Sequence, residues 1–515
     1  MLTGMFSSKR SAVIWVGLVL FMMPGLSASL PPPLTEYDPE NPPEGLFSED
    51  WMEVRIVGSK VGYSVTRMSR EGDEITTIIS SYMKIGRGPM EAEIKTEERY
   101  RETLDGRPLA IERDISMARQ PIRTQGRYRD GILKMTLESP GYLHDIEVPL
   151  SDEVLFPWGM VLETYRQGLE PGTSYAMKTY LPDLRFDGPV TMTVAIGEPE
   201  EIELEGVVQT LIPVEVMSVS DDRTIPSQLL ITETGRVVKN SVTLVGMPID
   251  MILVSKAEAL ADFISSELIG PTLIRLDTPI PEDARQVVYQ IHGATDLLMR
   301  RMPDYLGQRL ERLDESNLLV TVTGKSAQVL PDVTILPMPP DYESLVSSNL
   351  MINSDDPVVM AMAYEAVPEE EEIDPAELAT RLRDYVSKVV TVKSMDIGFA
   401  TASEVARNRE GDCSEHAVLL AALGRVHGLP SRVAAGLIYT PDFLGQRHVM
   451  GYHLWTQFFY NQQWWDYDSA MVETDDKPYR IALFTSALDD QAMLDFGLDL
   501  AEILGRIQVE VVRID

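Results

Sequence analysis

The sequence has a single cysteine, Cys413, among its 515 residues. One cysteine cannot form a disulfide within the chain, so no disulfide framework supports the fold. Basic residues are also scarce, because 45 Lys and Arg stand against 80 Asp and Glu, for a net charge of -35. Proteins that bind nucleic acid neutralise phosphates with Lys and Arg, so the composition argues against a nucleic-acid partner.

Only the amino end carries a long apolar run. Lys9 and Arg10 precede apolar residues from Ala12 to about Met23, and the small residues of 25–29 follow. This order is typical of a secretory signal peptide, which we assign to residues 1–28. Later apolar stretches are short and interrupted by charge or proline, so a membrane contact is expected only if this peptide stays uncleaved. We therefore expect an exported protein of the periplasm or cell envelope.

Residues 48–255 have the pattern of a β-rich antiparallel domain. Runs such as "DEITTIISSYMKI" alternate with a two-residue period and are rich in Ile and Thr. The pairs Asp105-Gly106 and Asp130-Gly131 each lie between two such runs and predict hairpin turns. An antiparallel sheet, a sandwich or a partly closed barrel is the expected result.

The rest of the chain mixes both element types, so the predicted fold class is α+β. A mixed α/β segment is expected at 256–335, with a helix around Ala294 to Leu313 and a strand at "NLLVTVTG". A proline-rich linker at 336–350 then leads to a carboxy-terminal domain at 351–515. That domain begins with an amphipathic helix in "PAELATRLRDYVSKVV" and ends with a helix from about Asp489 to Leu504 and a strand in "IQVEVVRI".

Cys413 is predicted to lie at the start of a buried helix. Thr401-x-x-Glu404 opens a short helix, Gly411 allows a sharp turn, and "SEHAVLLAALG" then continues as a helix that is apolar almost all round. Unpaired amides and the helix dipole would stabilise a thiolate there. The alternative is a small hydrophobic residue in a core, which is the commoner role of a free cysteine.

A base for this thiol is predicted in "GYHLWTQFFYNQQWWDYDSA", residues 451–470. A two-residue turn at Asn461-Gln462 would place His453 opposite Ala470, with Asp468 diagonally adjacent on the same face. Asp466 shares that face one step farther away. The hairpin therefore predicts a contact between His453 and Asp468, and the alternative is a structural hairpin with solvated carboxylates.

Four motifs together resemble the bacterial transglutaminase-like superfamily, whose members are related to papain-type cysteine proteases. They are "REGDC" ending at Cys413, "RVHGLPSR" at the end of the apolar helix, "HLW" from His453, and "WWDYD" ending at Asp468. The resemblance implies a papain-like α+β domain with Cys413 as nucleophile, His453 as base and Asp468 as the acid that orients it. It implies attack on an accessible amide of a protein or peptide substrate and an acyl-thioester that passes to water or to an amine. Water is the commoner acceptor, so we expect hydrolysis more than transamidation, and no cofactor.

Two other interpretations stay open at this point. Cys413-x-x-His416 has the spacing of half a zinc site, but structural zinc sites usually recruit several cysteines, so we expect no metal. Alternatively, the carboxy-terminal fold is a non-catalytic binding or scaffold module of the cell envelope. A scaffold has no need for Cys, His and Asp together, which favours the enzyme.

Overall fold

The computed structural model describes residues 30–87, 90–117, 121–220, 223–244, 247–263, 272–328, 338–339, 341–392, 399–443, 445–489, 496, 499, 503 and 505–515. The predicted signal peptide lies outside these residues, and so does most of the helix predicted from Asp489 to Leu504. Among the described helices, none combines the length and the apolar character that a membrane crossing requires.

A 16-stranded sheet forms from the first half of the described chain, which confirms the β-rich prediction. Its first and last strands, β1 and β16, pair antiparallel in the interior of the sheet, and one helix, α1 (Pro157–Gln167), interrupts the strands. The strands are β1 Gly45–Ile56, β2 Ser59–Glu71, β3 Glu74–Arg87, β4 Met90–Thr103, β5 Pro108–Ser116, β6 Ile122–Arg129, β7 Ile132–Ser139, β8 Tyr142–Pro149, β9 Val154–Leu155, β10 Ser174–Thr179, β11 Val190–Ile196, β12 Glu200–Leu204, β13 Val207–Ser220, β14 Arg223–Ile231, β15 Val237–Leu244 and β16 Met247–Val254.

Side-chain alternation explains these strands. In β7, Leu133, Met135 and Leu137 are buried, whereas Lys134 and Glu138 between and beyond them are exposed. The predicted Asp130-Gly131 turn is confirmed, because Arg129 pairs with Ile132 and both turn residues have positive φ. Such turns match the twist of the strands they join.

Two smaller sheets form from the second half of the chain. One has the order β17-β22-β21-β24, with β23 added to β22, and the other has the order β19-β20-β18-β25. The last strand of the chain therefore pairs with a strand of the mixed segment. The strands are β17 Ile274–Arg275, β18 Gln286–His292, β19 Gln308–Arg312, β20 Asn317–Thr323, β21 Ser431–Phe443, β22 Gln446–Tyr460, β23 Gln463–Tyr467, β24 Arg480–Ser486 and β25 Gln508–Ile514.

The helix predicted from Ala294 to Leu313 is wrong in its length. After a short helix, α2 (Lys256–Ala259), the observed helix here is α3 (Thr295–Arg301), and a strand, β19, occupies 308–312. Pro303 explains the early end, because the residue before a proline avoids the helical region and Met302 is extended. The predicted linker at 336–350 contains a short helix, α4 (Tyr342–Val346), within its described part.

Four helices pack together beside β22, in the five-stranded sheet. They are α5 (Pro357–Ala366), α6 (Pro375–Val389), α7 (Ala402–Asn408) and α8 (Cys413–Val426). The predicted burial of α8 is confirmed, since nearly all of its residues are buried. Close contact with β22 depends on Gly424, where a Cβ atom would lie 2.3 Å from a ring carbon of Phe458. Helix α8 is therefore fixed against the strand that carries His453.

The turn between β7 and β8 contacts the carboxy-terminal helices. Gly141 has a φ of +75°, and a Cβ atom there would lie 1.7 Å from Oδ2 of Asp356. Asp356 is fully buried, begins α5 by accepting from the Val358 amide at 2.8 Å, and pairs with Arg407 at 2.8 Å. The large sheet thus approaches this carboxylate at a position where only glycine fits.

We predict that Gly141→Ala lowers the thermal unfolding midpoint more than Gly58→Ala does. Gly58 also has a positive φ, +77°, but a Cβ atom there meets nothing within 4 Å. The control therefore costs only the backbone strain, about 1–2 kcal/mol, whereas the test variant also displaces the buried Asp356 carboxylate that pairs with Arg407. Equal midpoints for the two variants would contradict this contact.

Candidate active site

Cys413 is the first residue of α8, as predicted. Asp412 is the N-cap and accepts from the Ser414 amide at 2.9 Å, while Glu415 accepts from the Asp412 amide at 2.9 Å to complete a capping box. Gly411 has a φ of +152°, and a Cβ atom there would lie 2.1 Å from the Cβ of Glu415. Glycine is therefore required for the chain to enter the helix at this angle.

The thiol lies against an unpaired stretch of a strand edge. On one side, β22 pairs with β17 at Val449 and Met450 and with β23 from Thr456 onward. Between these two strands, among the described residues, no strand pairs with that edge. There the backbone N–H of Leu454 lies near the sulfur of Cys413 and favours its ionised form. The cysteine therefore contacts the residue that follows His453.

Carboxylates around the sulfur oppose its ionisation. Burial is the largest cause that raises the pKa of the Cys413 thiol well above its ordinary value, the charge of Asp412 comes next, and the carboxyl groups of Glu415 and Asp468 add less. The Leu454 amide only partly offsets them. The helix start alone predicts the opposite direction. Burial and the carboxylates outweigh the helix amides, so the thiol holds its proton at neutral pH.

His453 and Asp468 form the contact that the hairpin predicts. The two-residue turn is present, because Tyr460 pairs with Gln463 and both turn residues have positive φ. The ladder ends at Tyr467, and Oδ2 of Asp468, the next residue, lies 2.8 Å from Nε2 of His453. Both side chains are buried. This bond occupies Nε2 and leaves Nδ1 as the ring nitrogen that can exchange a proton with a reacting group.

The Asp468 carboxylate is satisfied on both oxygens. Oδ1 accepts from the amides of Ala470 at 2.9 Å and Met471 at 3.0 Å, and Oδ2 also accepts from Nε of Arg480 at 3.2 Å. Burial would raise the pKa of Asp468, but His453, Arg480 and these amides outweigh it and hold that pKa well below its ordinary value. Sequence reasoning missed Arg480, although a lone arginine at the head of the apolar run "IALF" is an available signal.

Asp466, the other carboxylate of the hairpin, has different partners. It accepts from the indole N–H of Trp455 at 2.6 Å, from the Gln457 amide at 2.8 Å and from the Tyr305 hydroxyl at 2.6 Å. The Trp455 ring in turn stacks near the His453 ring, with centroids 6.2 Å apart and planes inclined by 21°. Asp466 therefore holds the aromatic neighbour of the histidine, not the histidine itself.

His416, the other half of the hypothetical zinc site, is buried beside Ser469. Its Nδ1 lies 3.2 Å from the Ser469 hydroxyl oxygen. Across the part of the chain that the structure describes, no three His, Cys, Asp or Glu side chains are grouped closely enough to hold a metal ion.

Comparison with known proteins identifies the domain that carries this site. Residues 366–469 match the model of the transglutaminase-like superfamily, so this part of the chain is a transglutaminase-like domain. That range spans about a fifth of the chain and includes Cys413, His453 and Asp468. No curated protein matches the sequence.

Two solved structures show weak similarity. A beta-barrel-like protein of a domain of unknown function from Brucella abortus is 13% identical, with 40% of this chain and 95% of that chain covered and a TM-score of 0.31. A "Putative Cysteine Protease" from Cytophaga hutchinsonii is 12% identical, with 45% and 87% covered and a TM-score of 0.27. TM-scores this low do not establish a common architecture.

We predict that Asp412→Asn accelerates alkylation of Cys413 at pH 7.5. Asparagine caps a helix about as well as aspartate, but it removes a negative charge that raises the pKa of the thiol. More thiolate is then present at a fixed pH. The rate is measured by mass spectrometry with iodoacetamide. Asp374→Asn, the same change at the N-cap of α6, is the control and should leave the rate unchanged.

Proposed function

We propose that this protein is a cysteine enzyme that acts on amide bonds of proteins or peptides, with Cys413 as nucleophile, His453 as base and Asp468 as its orienting acid. The transglutaminase-like domain supports a function of the cysteine-protease type. The observation that carries the proposal is the buried 2.8 Å contact of His453 with Asp468, on the strand whose Leu454 amide contacts the sulfur of Cys413.

The proposed reaction starts from a neutral thiol and a neutral imidazole. Nδ1 of His453 takes the thiol proton as the sulfur attacks the amide carbonyl, and Asp468 stabilises the imidazolium that forms. The carbon–nitrogen bond then breaks, and the amine leaves with the proton from His453. Water, deprotonated by the same imidazole, attacks the thioester and releases a carboxylic acid and the free thiol.

One donor for the oxyanion is proposed on Cys413 itself. The Asp412 side chain engages the amides of Ser414 and Glu415, whereas the Cys413 amide is the first of the helix. A helix start carries partial positive charge, which favours an oxyanion beside it. An oxyanion bound there would form next to the sulfur that attacks.

Hydrolysis is proposed as the main outcome. Cys413 as a residue is partly exposed, although its sulfur is buried enough to raise the thiol pKa. Transfer to an amine instead of water requires a site that keeps water away from the thioester, and partial exposure makes that exclusion harder. Transamidation remains the alternative for the same acyl-thioester.

A non-catalytic binding module is the second candidate function, and the raised pKa of the Cys413 thiol favours it. A cysteine with a raised pKa is a poor nucleophile unless a base removes its proton. The two candidates therefore differ in whether His453 affects any chemistry at Cys413.

Export to the periplasm or cell envelope is part of the proposal. It rests on the amino-terminal sequence, which has the order of a signal peptide. Amino-terminal sequencing of the protein from a fractionated bacterial cell tests it, and a cytoplasmic protein that begins at Met1 would contradict it.

We predict that His453→Gln and Asp468→Asn each reduce turnover about a thousandfold or more, as expected when a base or its orienting acid is lost. The assay incubates each variant with a native exported bacterial proteome and counts new peptide termini and isopeptide links by mass spectrometry. Cys413→Ala sets the background.

His427→Gln is the matched control for these variants. His427 lies at the carboxyl end of α8, with Nε2 3.2 Å from the Ala363 carbonyl, far along the helix from Cys413. This variant should retain wild-type turnover. New termini without isopeptide links support hydrolysis, and the reverse supports transamidation. Wild-type protein that yields neither product above the Cys413→Ala background would refute both enzymatic readings.

A further inference from the structure

One oxygen of Asp468 contacts both the His453 imidazole and the Arg480 guanidinium. Oδ2 lies 2.8 Å from Nε2 of His453 and 3.2 Å from Nε of Arg480. Arg480 is 3% exposed, so its charge is buried next to the histidine. An imidazolium that forms on His453 therefore shares its counter-ion with a permanent positive charge.

Arg480 begins a buried network that extends away from the site. Its Nη2 donates to the Thr474 hydroxyl at 2.9 Å and lies 3.7 Å from Oδ1 of Asp475, which also accepts from the Asp468 backbone amide at 3.0 Å. Oδ2 of Asp475 meets two further cations, Lys325 at 2.9 Å and Arg383 at 2.8 Å. The carboxylate of Asp475 thus links Asp468 to three separate parts of the chain.

Lys325 reaches this network from the mixed segment, 150 residues before Asp475 in the sequence. It follows β20 in a one-turn 3-10 helix, Lys325–Ala327, and its amino group lies 3.6 Å from the centroid of the Tyr467 ring. Burial lowers the pKa of Lys325 although Asp475 opposes that shift. The charge is therefore held at a cost in solvation, beside the strand that leads into Asp468.

Each cation of this network has a carboxylate partner. Asp468 and Asp475 supply two buried negative charges, and the partly exposed Asp384, 2.8 Å from Arg383, supplies a third, against the three positive charges of Arg480, Arg383 and Lys325. Asp466, which accepts from the Trp455 indole, adds a negative charge near Arg480, and Asp412 and Glu415 lie near Cys413. Burial and Asp412 raise the pKa of Glu415 to about 8, so it contributes little negative charge at neutral pH.

We propose that Arg480 and Lys325 are positioning residues that fix the Asp468 carboxylate and keep the His453 imidazole neutral at rest. The inference deepens the proposed function, because a base must be neutral before it can take a proton from the thiol. It assigns the mixed segment a role at the active site. Without the cation that this segment supplies, the imidazole would acquire a proton at a higher pH and would be less available as a base.

The experiment is an NMR titration of the His453 ring in full-length protein labelled at histidine, with the signal assigned by its loss in His453→Gln. The variant Lys325→Met removes one cation and keeps the apolar stem. We expect the pH at which the ring signals shift to rise by about one unit, which corresponds to a tenfold change in proton affinity.

Lys477→Met is the matched control. This lysine lies two residues after Asp475, but it donates to the Glu282 backbone carbonyl and not to the network. The pH at which the His453 ring titrates should therefore change by no more than about 0.3 units. Equal titrations in wild type, Lys325→Met and Lys477→Met would overturn the proposal. A general loss of structure would change the ring signals of the other histidines too, which the same spectra report.

Arg480→Gln provides a second test, because Arg480 contacts Asp468 directly. In that variant the ring should titrate at a higher pH than in Lys325→Met, and a lower value would contradict the account. If the variant does not fold, Lys325→Met alone decides. The titration needs no turnover, so a failure of this inference is distinguishable from a failure of the proposed function, which the proteome assay tests separately.

Discussion

A carboxylate that is shut away from water must be met by donors on every side, and Asp468, 1% exposed, imposes that requirement on the rest of the site. Two amides just after it, one guanidinium and one imidazole meet the need. Each donor comes with its own constraint. The amides require a tight turn after β23, the guanidinium requires β24 to begin beside that turn, and the imidazole requires the register of β22. The five-stranded sheet that contains β22, β23 and β24 brings all four donors to the Asp468 carboxylate.

The same constraint ties the mixed segment to the transglutaminase-like domain. Lys325 and Tyr305 both come from that segment, and they reach Asp475 and Asp466, the two carboxylates on either side of the Asp468 turn. Gln308 adds two hydrogen bonds to the backbone of Ala482 in β24, and β25 from the chain end pairs with β18. The matched family range ends at residue 469, yet groups that hold its acid lie on both sides of it.

Short-range patterns were enough to predict the parts of the site that depend on local structure. Period-two alternation predicted the β-rich half, the capping signals placed Cys413 at a helix start, and hairpin parity selected Asp468 over Asp466. What the sequence could not predict depends on contacts between distant residues.

Arg480 lies 27 residues after His453, and nothing local in the sequence shows that the strand of Arg480 returns to the turn after Asp468. The raised pKa of Cys413 likewise arises because burial and Asp468, 55 positions away, add to the adjacent Asp412. The overlong helix at 294–313 is a different failure, since Pro303 was a local signal that the helical pattern outweighed.

Burial and carboxylates raise the pKa of the Cys413 thiol, so the proposed nucleophile depends on a neighbouring base. That claim can be tested without a substrate, by measuring the second-order rate of Cys413 alkylation by iodoacetamide at pH 7.5 in wild type and in His453→Gln. If His453 assists the departure of the thiol proton, the variant will react about a hundredfold more slowly, at the lower end of the usual range of general-base assistance. Equal rates in the two proteins would show that the histidine does not act on the cysteine and would contradict the account.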